Sequence, residues 1–454
     1  MSSETNNLLG KPSSPGFFST LGWASFSLVW NLCNSIIYAT LFPKLLEDIT
    51  DKWEEIYSAA SGTTTLIASI MLPVLGVLAD QTKSIKTYLV IASVLATLIN
   101  LLLPFLSIFP SSYVIPVAQS LYILGMGLLR LAVMCNNALL ACFPVSKRVS
   151  LSLISNFVGF TCALFGFTWF ALEKIFKNCQ DLKYLSFLCR TANANPSTLT
   201  LYVLIFTSSL LPLLLLTPSE KSSEVKKNDV SLKSVFKGFL SAFKSLFFEV
   251  KNTMLKKFLI TYLFYSTAGT VWSIFLPSFI KSMYKPDLST VSLVMLWFMT
   301  AFVIGVLIGL LIGKLTSSSL MKDFKFLLFQ NFCFFIAFCA IILFSYKFKS
   351  SPNSLFYVQI TSSVIGLLYS WNASLSRAVM SKLSPTDDVA FYMGLFSTAT
   401  YLGIGVCSYL VSFLKKIGFS MVILPCLLVF TTFIGQFLLF NCIRIQKKSS
   451  FLLN

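Results

Sequence analysis

Two arginines stand where a membrane protein rarely tolerates them. Arg130 interrupts the apolar run LYILGMGLLRLAVMCNN, and Arg377 lies within YSWNASLSRAVMSKL. At a bilayer centre a guanidinium costs ~2.5 kcal/mol or more, so each should face a bundle interior or a wet cavity. What it offers there is a planar fork of N–H donors that grips a carboxylate or phosphate through two parallel hydrogen bonds. Measured back from Pro144 and Pro385, Arg130 lies ~21 Å and Arg377 ~12 Å along their helices. Groups at such staggered depths could pass an anion along a central cavity. A plainer reading competes at both positions: helix-end carbonyls, or neighbours such as Asn372, Ser374 and Ser376, would satisfy the donors and only fix packing.

Neutral polar residues favour a few of the same apolar segments, among them Asn31 and Asn34, Asn136 and Asn137, Asn156, the group Tyr265, Ser266, Thr267 and Thr270, and Asn372. Asn31 and Asn34 are three apart and share a helix face. The candidate binding set is therefore Arg130, Arg377, Asn31, Asn34, Asn137, Tyr265, Thr267 and Asn372, although any one amide is better explained by a bond to a neighbouring helix. All 17 acidic residues fall in loops or at helix ends, with Asp80 nearest the hydrocarbon, and histidine is absent. Coupling through an intramembrane carboxylate or imidazole is therefore disfavoured. No cluster of Cys or carboxylates has metal-ligand spacing, so no metal, no cofactor and no enzymatic chemistry are expected.

Membrane helices must position these groups. The 454 residues are 56% hydrophobic and 11% charged, with a mean hydropathy of +0.80, outside the range of soluble globular chains. Segments long enough to cross a ~30 Å hydrocarbon core recur along the chain. They lie near 19–43, 57–79, 87–109, 113–142, 150–172, 199–217, 257–280, 289–313, 325–346, 354–381, 390–413 and 419–442. This predicts an all-α membrane protein of twelve transmembrane helices in two six-helix bundles, 19–217 and 257–442. Residues 1–18 and 443–454 read as cytoplasmic tails, and 218–256 as a cytoplasmic connection. The leader lacks the basic stretch and cleavage site of a signal peptide, so both termini are expected to be retained. Lys and Arg number 35 against 17 Asp and Glu. With both tails cytoplasmic, about 21 basic residues fall on that side and about 12 opposite, so topology explains the surplus and no nucleic-acid partner is required.

Two stretches between the spans carry signals of their own. In the connection, Val235, Phe236, Phe239, Leu240, Phe243, Leu246 and Phe247 recur at helical spacing among Lys233, Lys237, Lys244 and Lys251. That pattern is a basic amphipathic helix, lying on the inner membrane face or tying the halves together. At the end of the second span, MLPVLGVLADQTKSIK supplies Gly76, Asp80, Lys83 and Lys86 as candidate gating residues. Glycine permits close helix approach, and an acid at a helix end can accept from a neighbouring helix N-terminus in one state and release it in another. The second-half counterpart has Gly309, Gly313 and Lys314 but no aspartate to match Asp80, so only the first half should form the full charged latch.

Through Gly76, Leu78, Ala79, Asp80, Lys83 and Lys86, this stretch resembles the signature of the major facilitator superfamily. A narrower resemblance, to that superfamily's autophagy-related vacuolar amino-acid effluxers, rests on Asn137, Ala138, Leu139, Leu140, Arg148, Ser150 and Gly159, and on Ser376, Arg377, Pro385, Phe391, Gly394 and Leu395. The chain departs from it at FYSTAGTV, where Ser266, Thr267 and Ala268 replace an acid and a glycine that could serve ion coupling or amine binding. The resemblance implies a major facilitator fold and alternating-access transport of a small organic solute, amino acids or another anionic or zwitterionic metabolite. The implied membrane is vacuolar or lysosomal, with the plasma membrane second. A non-transporting adaptor of this fold and a carrier of a neutral solute such as a sugar remain as alternatives. Expected partners are a small-molecule substrate and the lipid bilayer. Glu4, Leu8 and Leu9 in ETNNLLG have the spacing of an acidic dileucine signal read by sorting adaptors. Cys179 and Cys189 would pair if their side of the membrane is oxidising.

Overall fold

A computed structural model describes residues 16–47, 49–50, 53–175, 196–218, 232–248, 253–284, 288–315, 319–348, 351, 353–385 and 388–451. Glu4, Leu8, Leu9, Cys179 and Cys189 lie outside them. In hydrocarbon every backbone N–H and C=O must be bonded within the protein, which leaves helix as the natural state of each apolar run. Helix α1 (Phe17–Asn31) continues through a π-helical stretch, Leu32–Leu41, into α2 (Phe42–Glu47). There follow α3 (Trp53–Thr82), α4 (Ile85–Asn100), α5 (Ser111–Leu139), α6 (Arg148–Ile175) and α7 (Pro196–Leu210). The connection folds as α8 (Leu232–Phe248). The second half comprises α9 (Thr253–Tyr284), α10 (Leu288–Leu315), α11 (Leu320–Tyr346), α12 (Ser354–Leu383), α13 (Val389–Lys416) and α14 (Ile423–Phe451).

Among the described residues, 9 helical stretches are long and apolar enough to cross a membrane. The run from α1 to α2, α7 with its 3-10 tail Leu211–Leu216, and α12 complete the twelve expected spans. Helix α12 is less apolar because Ser362, Ser370, Asn372, Ser374 and Ser376 are buried against other helices rather than turned to lipid. The first half packs through α1 on α6, α4 on α5 and α3 on α5. The second packs through α9 on α14, α11 on α12 and α14, and α10 on α12.

The bundles meet mainly along two antiparallel seams, α3 with α13 and α6 with α10. Small residues make the first seam close. Gly76 rests on the backbone of Ala390 and Phe391, Gly394 on that of Leu72 and Pro73, and Gly62 on the Tyr409 ring. Between them, Thr398 Oγ1 donates to Ser69 O at 2.8 Å. In the second seam, Phe160 and Phe302 meet with ring centroids 4.8 Å apart, and Gly309 accommodates Leu153 and Trp371.

A β-carbon at position 76 would stand 2.5 Å from Ala390 O, which is backbone and cannot swing away. Gly76→Ala is therefore expected to force α3 from α13 and destabilise the protein by ~1–3 kcal/mol. At Gly127 nothing lies within 4 Å, so Gly127→Ala should be neutral or stabilising by up to ~1 kcal/mol. Thermal unfolding of the two purified variants in detergent checks the contrast.

Candidate functional site

At one end of the molecule, two devices hold the bundles together. Asp80, in the last turn of α3, accepts from Ala390 N at 3.0 Å and from Phe391 N at 2.8 Å. Those are first-turn amides of α13, donors that a helix cannot satisfy internally and that favour negative charge. Gly76, one turn earlier, removes the side chain that would block this approach. The second device is Arg148, at the start of α6. Its Nε donates to Phe143 O at 3.0 Å and its Nη2 to Ala141 O at 2.8 Å. Nη1 reaches across to α12, donating to Ser381 O at 2.7 Å and Ser381 Oγ at 3.0 Å. One guanidinium thus binds the α5–α6 turn and the opposite bundle at once. In the sequence Arg148 stands out only through family resemblance, and this role is not legible there.

The two lysines of the candidate gate lie apart from the seam. Lys83 is exposed in the α3–α4 turn, in left-handed backbone at φ 48. Lys86 Nζ donates to Leu215 O at 2.6 Å and ties α4 to the tail of α7 within the first bundle. The second half has a charged pair after all, Lys382 with Asp323 at 2.7 Å, both less than a tenth exposed. Asp323 comes from the first turn of α11 rather than from the preceding turn, and it pairs with α12 of its own bundle. Among the described residues, Asp80 and Arg148 tie the two bundles together at this end.

Deeper in the molecule, Arg130 of α5 is 5% exposed. Its Cζ lies 4.4 Å from the ring centroid of Tyr401, on α13 of the other bundle. Tyr38, Tyr57 and Tyr122 are its further electrostatic neighbours. Tyr38 sits in the π-helical stretch and donates to Asn100 Oδ1 at 2.5 Å; its ring meets Tyr122 edge-on at 5.0 Å. Among the described residues, Arg130 Nε and Nη1 are buried with no hydrogen-bond partner. A desolvated cation–π contact returns ~2 kcal/mol, whereas each buried donor left unpaired costs ~1–3 kcal/mol. The ring does not make up the deficit; an acceptor would.

Arg377 of α12 is half-buried, with Nη2 donating to Asn156 Oδ1 at 3.3 Å. Asn156 in turn donates to Ser374 Oγ at 2.6 Å and so links α6 to α12. Tyr262 and Tyr369 are the electrostatic neighbours of Arg377, and Tyr369 also interacts with Tyr401. A series of tyrosines therefore runs from one arginine to the other. Tyr262 stacks on Phe396 at 4.0 Å and accepts from Thr400 Oγ1 at 3.0 Å; Tyr369 and Thr270 share a hydrogen bond of 3.0 Å.

The other candidate binding residues mostly serve helix contacts. Asn31 Nδ2 donates to Ser27 O at 2.9 Å and packs on Gly159 of α6. Tyr265 and Ser376 share a hydrogen bond of 2.8 Å. Thr267 Oγ1 donates to Leu263 O at 2.5 Å and fits against Gly403 of α13. Asn372 Nδ2 donates to Gln330 Oε1 of α11 at 3.3 Å. Asn34 is half-buried in the π-helical stretch, and Asn137 is buried near the end of α5. Arg130 and Arg377 are thus the members brought to the interbundle space. The tyrosines that accompany them were overlooked, although the sequence carries a sign. Tyr122 and Tyr369 each precede an arginine by eight positions on matching helices of the two halves. Helical side chains lean toward the N-terminus, which carries a long guanidinium back toward that tyrosine.

Comparison with solved structures decides the architecture. The Escherichia coli fucose:proton symporter superposes with a TM-score of 0.64 at 13% identity, over 94% of this chain and 98% of that one. The fold is the major facilitator fold. The human organic anion transporter matches with a TM-score of 0.65 at 10% identity, over 92% and 98% of the two chains. A bacterial homologue of the iron transporter ferroportin, in an outward-facing state, matches at 0.64 and 11% identity over 94% and 99%. Residues 192–408 match the family model for the Major Facilitator Superfamily. No curated protein sequence matches the chain. This is a multi-pass membrane protein whose two bundles are tied together at the end that carries Asp80 and Arg148.

Charged hydrogen bonds of this kind are worth ~1.5–3 kcal/mol each. Arg148→Ala is expected to open that end and raise labelling of the half-buried Cys142 by a membrane-impermeant maleimide about tenfold or more. Peptide mass spectrometry of the labelled protein measures the change.

Proposed function

We propose that the protein is an alternating-access carrier of small organic anions or zwitterions, with amino acids the leading class. One observation carries this reading: Arg130 is buried between the bundles, pressed on a tyrosine of the opposite half, with two donors unpaired among the described residues. A carboxylate there would accept two parallel hydrogen bonds from the guanidinium. Because Arg130 and Tyr401 belong to different bundles, a ligand bound between them feels both halves and can favour one arrangement over another. Rocking would break the Asp80 and Arg148 ties on one side and re-form closure on the other.

No acidic residue lies in the middle of a span, which favours exchange or facilitated efflux over coupling through a buried carboxylate. One of the matched structures is that of an organic anion transporter and another that of a sugar symporter, so Arg130, rather than the shared fold, selects the anion reading. A vacuolar or lysosomal membrane is the proposed location, on the resemblance given above. The basic surplus on that side supports placing the latch-bearing end at the cytoplasm.

Counterflow in proteoliposomes, with a panel of amino acids and small carboxylates, tests the proposal. Arg130→Ala is expected to lower the rate about 10- to 100-fold for the accepted substrate, and Arg130→Lys to restore it only in part, because an ammonium keeps the charge and loses the fork. Undiminished flux in Arg130→Ala would overturn the assignment. Absence of flux for every solute, with retained binding of a protein partner, would favour the adaptor instead. Arg377→Lys separates contact from packing at the second arginine: unchanged transport there removes Arg377 from the binding site.

A further inference from the structure

Helix α8 has 17 residues, three of them lysine and none acidic. One flank docks on the latch. Val235 is buried, Gly238 rests on Gln81 and Val77 of α3, and Gln81 Nε2 donates to Ser234 O at 3.3 Å. The Phe239 ring lies 6.2 Å from that of Phe391, nearly perpendicular to it. Gln81 follows Asp80 in the chain, and Phe391 supplies one of the amides that Asp80 holds. The helix therefore touches both sides of the latch.

Among the described residues, its neighbouring flank has no such cover. Phe236 is 57% exposed and Leu240 51%. Lys237 and Lys244 are exposed, and at about 100° per residue Lys233 shares their register within about 40°. Around the helix the order is protein contact, exposed apolar pair, then lysine row. That is the order a helix adopts at an interface, with apolar groups among acyl chains and lysines reaching the headgroups. Position agrees. Helix α9, a membrane span, begins at Thr253, and the few residues after Phe248 can reach at most about 17 Å.

We infer that α8 is seated on an anionic bilayer surface through Phe236, Leu240, Lys237 and Lys244, and that it braces the Asp80 latch in the closed arrangement. The occupant of the exposed flank is the lipid surface rather than an acidic protein segment, because the apolar pair lies between the docked flank and the lysines. Withdrawal of the helix would free Gln81 and Phe391 and loosen α13 from α3. Membrane charge thereby sets how readily this end opens.

Hydrogen exchange of the full-length chain in nanodiscs tests this without any transported solute, so its outcome is separate from that of the transport assay. Discs of phosphatidylcholine are compared with discs of phosphatidylcholine and phosphatidylserine at about 7:3, a strongly anionic surface. Each lysine near such a surface contributes about fivefold to its hold. Amides of α8 are expected to exchange about tenfold or more slowly in the anionic discs, and the amides of Ala390 and Phe391 to slow in parallel, while those of α11 stay unchanged. The double variant Lys237→Gln/Lys244→Gln should exchange alike in both discs, with α11 again reporting an intact fold. Equal exchange of the native chain in the two discs, or slowing that survives in the double variant, would overturn the lipid assignment. Slowing of α8 with no change at Ala390 and Phe391 would overturn the brace.

Discussion

A bilayer supplies no hydrogen-bond partners, so each polar group inside it must find one in the protein or be left at a cost. Much of the architecture follows from that constraint. It makes each apolar run a helix, and it turns the serines and asparagines of α12 toward other helices. It also gives meaning to helix ends. The first amides of α13 need acceptors; Asp80 provides two, one from each carboxylate oxygen. A contact that satisfies a helix end and joins two bundles does both tasks only in one arrangement. When the bundles rock, water must take over at both α13 and Asp80, which confines such a latch to an end of the molecule that opens to solvent. Arg148 obeys the same rule: its carbonyl acceptors lie at the ends of α5 and α12, where the helices leave C=O groups unpaired.

Among the described residues with a buried side-chain polar atom left without a partner, Arg130 is the charged one. Its counterpart Arg377 has an amide partner, and the Asp323–Lys382 pair satisfies itself within one bundle. Arg130 has the face of Tyr401 and, among the described residues, two buried donors with no acceptor. A group kept at that cost in a span with no neutralising carboxylate is the natural place for something that arrives and leaves. The aromatic surroundings suit such a visitor, since tyrosines offer apolar faces with hydroxyl edges and require no counter-charge of their own.

Fold and site differ in how far the sequence discloses them. Span count and order follow from hydropathy because a ~30 Å slab demands a length that few other structures need. Even α12, with Arg377 and its run of serines, ends at Leu383, two residues past the limit expected from the sequence. Asp80 and Gly76 were legible because a helix-end acid next to a glycine has few other uses. Partner choice was not legible. Asn31, Thr267 and Asn372 carry the same polarity as a binding residue, yet Asn31 and Thr267 bond back to their own helices and Asn372 bonds to α11, and a one-dimensional pattern does not tell the cavity side of a buried helix from its packing side. Glycines draw that line afterward: Gly159 and Gly403 mark where Asn31 and Thr267 press on backbone.

Tyrosine was passed over for a related reason. In a membrane protein it is expected at the headgroup level, with its hydroxyl in water. Tyr122, Tyr262, Tyr369 and Tyr401 lie well inside their helices, where the hydroxyl must be served by protein. That requirement separates them from the belt residues. Tyr262 has Thr400 and Tyr369 has Thr270, so the second half assembles its tyrosines with threonines from α9 and α13. The first half uses Asn100 for Tyr38 and sets Tyr122 among other rings. The two halves thus reach a similar arginine–tyrosine arrangement with different supporting side chains. What is repeated between them is a cation set among tyrosines, and it is visible only when each hydroxyl's partner is followed.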